Sequence, residues 1–491
     1  MSKIHLIKTK FDAANTSPEA MRHWKGAENL SADAELLPDI RRLVVSRSRF
    51  EAANNGYLAG ILRTLAYDTI GTGPRLQLRL ENIEDLTSPE AAHQASRSGA
   101  RREKRFQTYA KRISLAEKLR LARLAKARDG EVFFQKVVNP RVAPVNNVDI
   151  VLFEAEQVGS PASLPGEDFY KNGNPKEVDG ILYDRNGNPT FFRFWKIHPG
   201  ALSGAGLSGE YTLVPASAVI HYASFSRPGQ HRGFPEIAGS LTVFNDLRRY
   251  GNAVVAAAET AAVISFLLET DTGYDADEFD LSDEMNAEGK RMKQLNFTDV
   301  VPMAKNAGVA LPEGWKGHQL KAEQPTSTYS AFTDAKLNEA ARSLSMPFNV
   351  AKGNSSGYNY ASGRLDHQVY HRMIAVERQC IEITILDNIY ETWEAIDRIL
   401  FPEDYPEKAE FYHVWMWDGF EHCDPAKESN AQSIRLANGT TTLAEECAAR
   451  GRDYEAVLRQ LAHEKHLKEQ LGLDTGSGLK TEIKDIEDGE E

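Results

Sequence analysis

Three groups of residues have types and spacings that carry chemical meaning. Gly353-Asn354-Ser355-Ser356-Gly357 matches G-x-S-x-G, the sharp turn that presents a nucleophilic serine for acyl transfer. That chemistry needs a strand before the turn, a helix after it, and an acid and a histidine later in the chain. Here Met346-Pro347 ends a predicted helix just upstream and Tyr358 and Tyr360 follow in a polar run. A serine hydrolase centred on Ser355 is therefore the alternative reading and not the main one. His367 and His371 lie four apart on a predicted helix, a spacing that can share a metal, but no His-Glu-x-x-His pattern surrounds them. Gly71-Thr72-Gly73-Pro74 lacks the third glycine of a dinucleotide fingerprint and has a proline where the phosphate-binding helix should begin. Cys380, Cys423 and Cys447, odd in number and far apart, fit neither a zinc site nor a disulfide framework and point to a reducing compartment. No catalytic residue, metal or cofactor is expected.

The elements that position these residues follow from periodicity. At 491 residues, with 41% hydrophobic and 26% charged residues, the chain has room for two to four domains of ordinary globular composition. The N-terminus has no sustained apolar segment of the signal-peptide kind. Residues 1–35 read as a weakly structured arm with one short helix at Ser17-Pro18-Glu19, and Ile40 to Ile70 as helix. A further helix is expected over Phe106 to Arg128, with Leu115, Leu119, Ala122 and Leu124 inward and its basic residues outward. From Glu131 the pattern turns to strands: Val132 to Phe134, Ile150 to Glu156, and Gly180 to Asp184 joined to Thr190 to Ile197 through Asn186-Gly187, a strong hairpin signal.

Pro235 to Leu268 reads as one long helix, with Ile237, Leu241, Phe244, Leu247, Val254, Ala258 and Ala261 on one face and Glu236 at its positive end. Its second half is rich in alanine, which lets neighbouring helices approach closely. The run Ala253 to Leu268 is too short for a bilayer and is interrupted by Glu259 and Thr260, so no membrane span is expected. Later helices are expected at Thr333 to Leu344 and at Gly363 to Ile399, the latter with Met373, Val376, Cys380, Ile383 and Leu386 inward. A strand over Phe411 to Trp417 precedes three C-terminal helices, the first capped by Asp424 and the second opened by a capping box at Thr442 to Glu445. The net charge of −12 argues against a protein that clings to nucleic acid through phosphate neutralisation. Arg97 to Arg128 is nonetheless strongly basic, while Tyr274 to Glu284 and Glu482 to Glu491 are acidic.

RPGQ-x-RG-x-P at Arg227 to Pro235, followed by a long helix with Tyr250-x-x-Ala253 at its centre, resembles the portal proteins of lambda-type tailed phages. Colinear stretches agree: WKGAENLSADAELLPDIRRLVVSRSRF, DGEVFFQ, GILYDRNGNPTFFRFW, VPASAVIHY, YNYASGRLDH and DPAKESNAQSIRLANGTTTLAEECAARGRD. The resemblance covers about residues 20 to 470. It implies an α+β portal fold, mainly helical, with a β-rich wing, long stem helices and a helical C-terminal crown.

Carried onto this chain, the resemblance gives an arm at 1–35 and a wing at 36–234, helical over 40–128 and β-rich over 129–234. A stem helix at 235–268, a clip at 269–330 and a second stem helix at 331–347 follow. A tunnel loop at 348–362, a wing helix and strand at 363–423, a crown at 424–472 and a disordered acidic tail at 473–491 complete it. The implied function is a homo-dodecameric ring at the capsid vertex of the virion, assembled in the host bacterial cytoplasm. Double-stranded DNA would be packaged through it by terminase and later ejected. Its partners would be terminase large subunit, major capsid or scaffold protein, and a head-completion adaptor. The expected channel contacts, independent of base sequence, are Lys352, Asn354, Ser355, Ser356, Tyr358 and Tyr360 from the loop, with Arg248 from the stem. A generic capsid or adaptor ring component is the other alternative.

Overall fold

The computed structural model describes residues 11–81, 88–142, 146–161, 176–202, 209–263, 267–270, 315–318, 326–357, 359–420 and 425–473. The chain divides into two units, one made of Met1–Thr242 with Leu337–Glu491 and the other of Val243–Lys336. The fold is α+β, as expected, and among the described residues helices dominate over four small antiparallel sheets.

In the first unit two short helices, α1 (Pro18–His23) and α2 (Ala32–Glu35), lead to α3 (Pro38–Asn54) and α4 (Gly56–Ile70). The single helix expected from Ile40 to Ile70 is thus two. Asn55 breaks it because its side-chain oxygen accepts from the N–H groups of Tyr57 (3.1 Å) and Leu58 (3.3 Å), starting a new helix instead of continuing the old one. β1 (Arg75–Leu80), absent from the sequence expectation, pairs with β11 (Phe411–Met416). The helix expected over Phe106 to Arg128 is also two, α5 (Pro89–Arg112) and α6 (Leu115–Asp129), parted at Ser114 with φ +52°.

β2 (Glu131–Val138), β3 (Val148–Glu154) and β8 (Val219–Ala223) form one sheet in the order β3-β2-β8. β4 (Lys176–Val178), β5 (Ile181–Tyr183), β6 (Pro189–Trp195) and β7 (Tyr211–Pro215) form a second. The Asn186-Gly187 hairpin is present, with Gly187 at φ +85° and the Asp184 carboxylate accepting from the N–H groups of Asn186 and Asn188. β2 is buried on both sides because alternate side chains leave opposite faces of a strand. Val132 and Phe134 enter the helical core with Phe106, Leu119, Trp393 and Trp415, whereas Phe133 joins Ile181, Phe192 and Phe194 against the second sheet.

α7 (Leu241–Val263) is shorter at both ends than the expected helix, since Pro235 to Ser240 turn in 3₁₀ fashion and Leu267–Thr270 is a strand, β9, paired with β10 (Trp315–His318). The return helix α8 (Thr326–Arg342) begins earlier than expected. Within the first unit the Ser240 hydroxyl meets the Ala340 carbonyl at 3.0 Å. Within the second, Tyr250 of α7 stacks on Tyr329 and packs on Phe332 of α8. The acidic runs Tyr274 to Glu284 and Glu482 to Glu491, and Asp424, lie outside the described residues.

α9 (Phe348–Lys352) and α10 (Tyr360–Ile381) follow, the latter passing through one π turn at Glu382–Leu386 into α11 (Asp387–Leu400). The inward face expected for this stretch is wrong in part: Val376 and Ile383 are 63% and 62% exposed, while Ile374, Ile381, Ile385, Ile389 and Trp393 are buried. The π turn adds a residue and rotates the face from Ile383 onward, whereas Val376, before it, lies beside the buried row of Ile374 and Ile381. α12 (Pro425–Ala437), α13 (Leu443–Ala449) and α14 (Tyr454–Gln470) are the last elements among the described residues, with the expected capping box formed at Thr442 and Glu445. No helix among the described residues is long and apolar enough to cross a membrane.

Glu103 gives this unit a pH dependence near neutrality. Glu103 of α5 accepts from the Leu78 N–H at 2.6 Å. Burial pushes its pKa up to about 7, against the pull of that N–H and with help from Asp453 and Glu455. The folded protein therefore holds a proton that the unfolded chain releases near 4.5, and stability from this group is lost as pH rises between about 4.5 and 7. Glu103→Gln is expected to raise the melting temperature by a few degrees above neutral pH and to have little effect in acid, checked by thermal melts across the pH range.

Candidate functional site

The loop singled out by sequence is only partly a loop. Asn349 and Lys352 lie in α9, whose end is set by Gly353 at φ +67°. Lys352 is half-buried, with its ammonium 5.4 Å from the centroid of the Phe348 ring. Asn354, Ser355 and Ser356 are exposed, and the Asn354 side-chain oxygen accepts from the Ser356 N–H at 2.8 Å, which fixes a tight turn. Tyr358 lies outside the described residues. Tyr360 opens α10, capped by the Asn359 side chain accepting from the Ser362 N–H. Arg248 lies on α7 in the other unit and is half-buried.

The geometry required by the hydrolase alternative is not formed. A short helix, not a strand, precedes Ser355. His367 takes a hydrogen bond from the Asn349 amide at 3.2 Å, and His371 stacks flat on Phe420 with centroids 3.8 Å apart. The two rings also meet each other edge to face, with centroids 5.9 Å apart. Burial, with His367 adding, holds the His371 pKa below its ordinary value. Glu154, Glu156 and His198 come close enough to hold a cation, but Arg49 already supplies one, 3.0 Å from Glu156 and 3.5 Å from Glu154.

What the sequence did not disclose is the cluster behind the RPGQ-x-RG segment. Arg227 to Gln230 form a turn with Gly229 at φ +76°, where a side chain would be strained. The Gln230 side chain holds it together, accepting from the Ser226 and Arg227 N–H groups and donating to the Ser224 and Arg232 carbonyls. α2 docks on this turn: the His231 ring meets Asp33 at 2.7 Å, and Arg227 pairs with Glu35.

Arg232 then plunges inward. Its guanidinium donates to Glu131 at 2.6 and 2.9 Å and to the carbonyls of Ala155, Val158 and Asp179. Glu131, fully buried at the start of β2, also accepts from Arg41 at 3.0 Å, meets the His221 ring at 2.8 Å and accepts from the Gly233 N–H at 2.7 Å. Burial alone would raise its pKa. Arg232, Arg41 and His221 override that and hold the carboxyl well below the usual range. Asp179 closes the cluster against both arginines. Gly233 has no alternative here, since a Cβ would strike the Gly130 carbonyl and approach the Glu131 Cβ to 2.7 Å.

Much of the basic run is likewise paired within the chain, while Lys104, Lys111 and Arg112 are exposed. Arg105 grips Asp397 in bidentate fashion at 2.7 and 2.9 Å, Arg101 meets Asp404, Arg102 meets Glu394, and Lys118 meets Asp149. Arg123 and Lys126, expected outward, are buried against Glu236 and Glu377. Glu236 is therefore not the helix-end anion expected of it. Leu124 is half-buried, whereas Leu115, Leu119 and Ala122 are buried as expected.

A sequence model of the family described as phage portal protein, lambda family, matches residues 17–378, which include the whole charge cluster and the RPGQ-x-RG turn. The chain belongs to that family. A probable portal protein of Halomonas phage phiHAP-1 is 21% identical over 471 residues, covering 92% of this chain and 85% of that one. Among solved structures, a chain from the neck of an empty gene transfer agent particle overlaps 83% of this portal-family protein and 93% of its own length, at 11% identity and a TM-score of 0.39. An HK97-family phage portal protein from Corynebacterium diphtheriae overlaps 78% and 96%, at 12% identity and a TM-score of 0.30.

Glu131→Gln leaves buried guanidiniums without their counter-charge. It is expected to cost about 3–5 kcal/mol, read as a large drop in the urea midpoint or as loss of soluble portal protein. Glu35→Gln, which breaks an exposed pair with Arg227, is expected to cost less than about 1 kcal/mol in the same assay.

Proposed function

We propose that this portal-family chain assembles as a ring, typically of twelve copies, at one capsid vertex. Genome DNA would enter through its channel under the terminase motor and leave by the same path. The observation that carries this reading is the family match over residues 17–378. In this reading α7 and α8 are stem helices, β9 and β10 belong to the clip that meets terminase and head-completion proteins, and α12 to α14 form the crown. Assembly would take place in the host bacterial cytoplasm, with capsid or scaffold protein receiving the ring.

Helix dimensions support the number. Twelve helices packed about 8–10 Å apart make a circle of roughly 100–120 Å, which leaves a bore of about 20–27 Å once helix thickness is removed. On the single chain, Ala253, Val255, Ala256 and Ala257 of α7 are exposed, which suits close approach by a neighbouring helix. A channel must let DNA slide, and each neutralised phosphate adds affinity and therefore friction. The net charge of −12 and the internal pairing of the basic run both keep phosphate binding low. The loop residues assigned to weak DNA contact are Lys352, Asn354, Ser355, Ser356, Tyr358 and Tyr360, with Arg248 on the stem.

Negative-stain images of the purified chain are expected to show rings with a central opening; a compact single-chain particle, even with capsid partners present, overturns the reading. Changing Ser355 and Ser356 together to alanine is expected to leave ring mass unchanged and to lower packaged or retained DNA severalfold. Loss of ring assembly with no effect specific to DNA refutes the loop assignment.

A further inference from the structure

The outward side of α5 carries positive charge that no acid among the described residues answers. Ala95, Arg102 and Tyr109, spaced by seven, are buried along one side of the helix, which places Arg97, Lys104 and Lys111, also spaced by seven, along the opposite side. All three are exposed, as is Arg112, and none of the four meets an acid among the described residues, unlike Arg101, Arg102 and Arg105. From Ala91 to Ala116 the only acid in the sequence is Glu103, and it is turned inward, accepting from the Leu78 N–H. The result is a basic stripe running roughly 21 Å from Arg97 to Lys111, at the rise of an α-helix.

The chain itself holds an anion of matching length. Residues 474–491 lie outside the described residues, and within them Glu482 to Glu491 carries six acids against one lysine. A fully extended stretch of that size covers roughly 30 Å, enough to run along the stripe. The nearest anchor is on the same helix: Arg459 of α14 donates to the Ser96 hydroxyl of α5 at 3.4 Å, one residue before Arg97. Whatever course α14 takes from that contact, Leu473 lies within roughly 50 Å of Lys104, whereas residues 474–491 can span up to roughly 60 Å. Charge and tethering favour this segment over a free polyanion. The net charge of −12 repels a nucleic acid at a distance, while a tethered segment meets the stripe at an effective concentration on the order of millimolar.

We propose that the acidic segment 482–491 lies along the basic side of α5 in the same chain and keeps that side from binding phosphates. Exposed charge pairs are individually weak, so the contact depends on their number and loosens as salt is added. The acidic and basic runs that stand out in the sequence thereby become partners. The proposal concerns a single chain and stands or falls apart from the ring reading.

The test is zero-length carbodiimide cross-linking of the full-length chain at low salt, with normal and ¹⁵N-labelled protein mixed so that links within and between chains separate by mass. Amide links are expected from Lys104 or Lys111 to carboxyls of residues 482–491 within one chain. No link to either lysine, or links to them only between chains, overturns the proposal. The second measurement uses the full-length chain with Glu482→Gln, Asp485→Asn, Glu487→Gln, Asp488→Asn, Glu490→Gln and Glu491→Gln together. This variant is expected to bind a short DNA duplex of mixed sequence at least about fivefold more tightly than the parent at low salt. Adding Lys104→Gln and Lys111→Gln, both exposed, is expected to remove most of the gain. Binding no tighter than the parent, or a gain that survives the two lysine changes, also overturns it.

Discussion

A fully buried carboxylate is the constraint on which the first unit depends. Glu131 carries its charge at the head of β2, where water does not reach it. That is tolerable only because two guanidiniums, an imidazole and a backbone N–H converge on its two oxygens. Each partner comes from a different part of the chain: Arg41 from α3, His221 from β8, Arg232 and Gly233 from the turn before α7. Satisfying one charge therefore fixes a helix, a sheet edge and a loop against one another.

The same cluster explains why the RPGQ-x-RG segment has its residue types. Gly229 supplies the turn, Gln230 satisfies the turn's backbone groups, and Arg232 and Gly233 complete the Glu131 site. The close approach of Gly233 to Gly130 lets the chain return past the end of α6 before it sets out along α7. The residue types of the segment are thus accounted for by the turn and by the buried Glu131 cluster.

Charge pairing has a second consequence. The run Arg97 to Arg128 looked like a surface of one sign, but most of the arginines and lysines named from it meet an acid from another part of the chain. What remains outward around Asn354 to Ser356 is small and uncharged. A polar surface without concentrated positive charge is the kind that a polyanion passes without being held.

Local signals were legible from sequence wherever a few neighbouring residues decide the outcome. The Asn186-Gly187 hairpin, the Thr442 capping box and the Ser17 helix start all rest on side chains that bond their own backbone neighbours or permit a positive φ. Family membership was legible too, from the order of many individually weak segments. The helix break at Ser114, the rotation of the buried face at the π turn, the pairing of β1 with β11 and the inward course of Arg123 and Lys126 were not. The last three depend on partners tens to hundreds of residues away: Glu377 for Lys126, the strand at Phe411–Met416 for β1, the core around Trp393 for α10 and α11. Whether an arginine faces water or a buried acid is decided by what the fold brings opposite it. Sequence alone fixed the short-range geometry, and only tertiary structure could settle where the charges met.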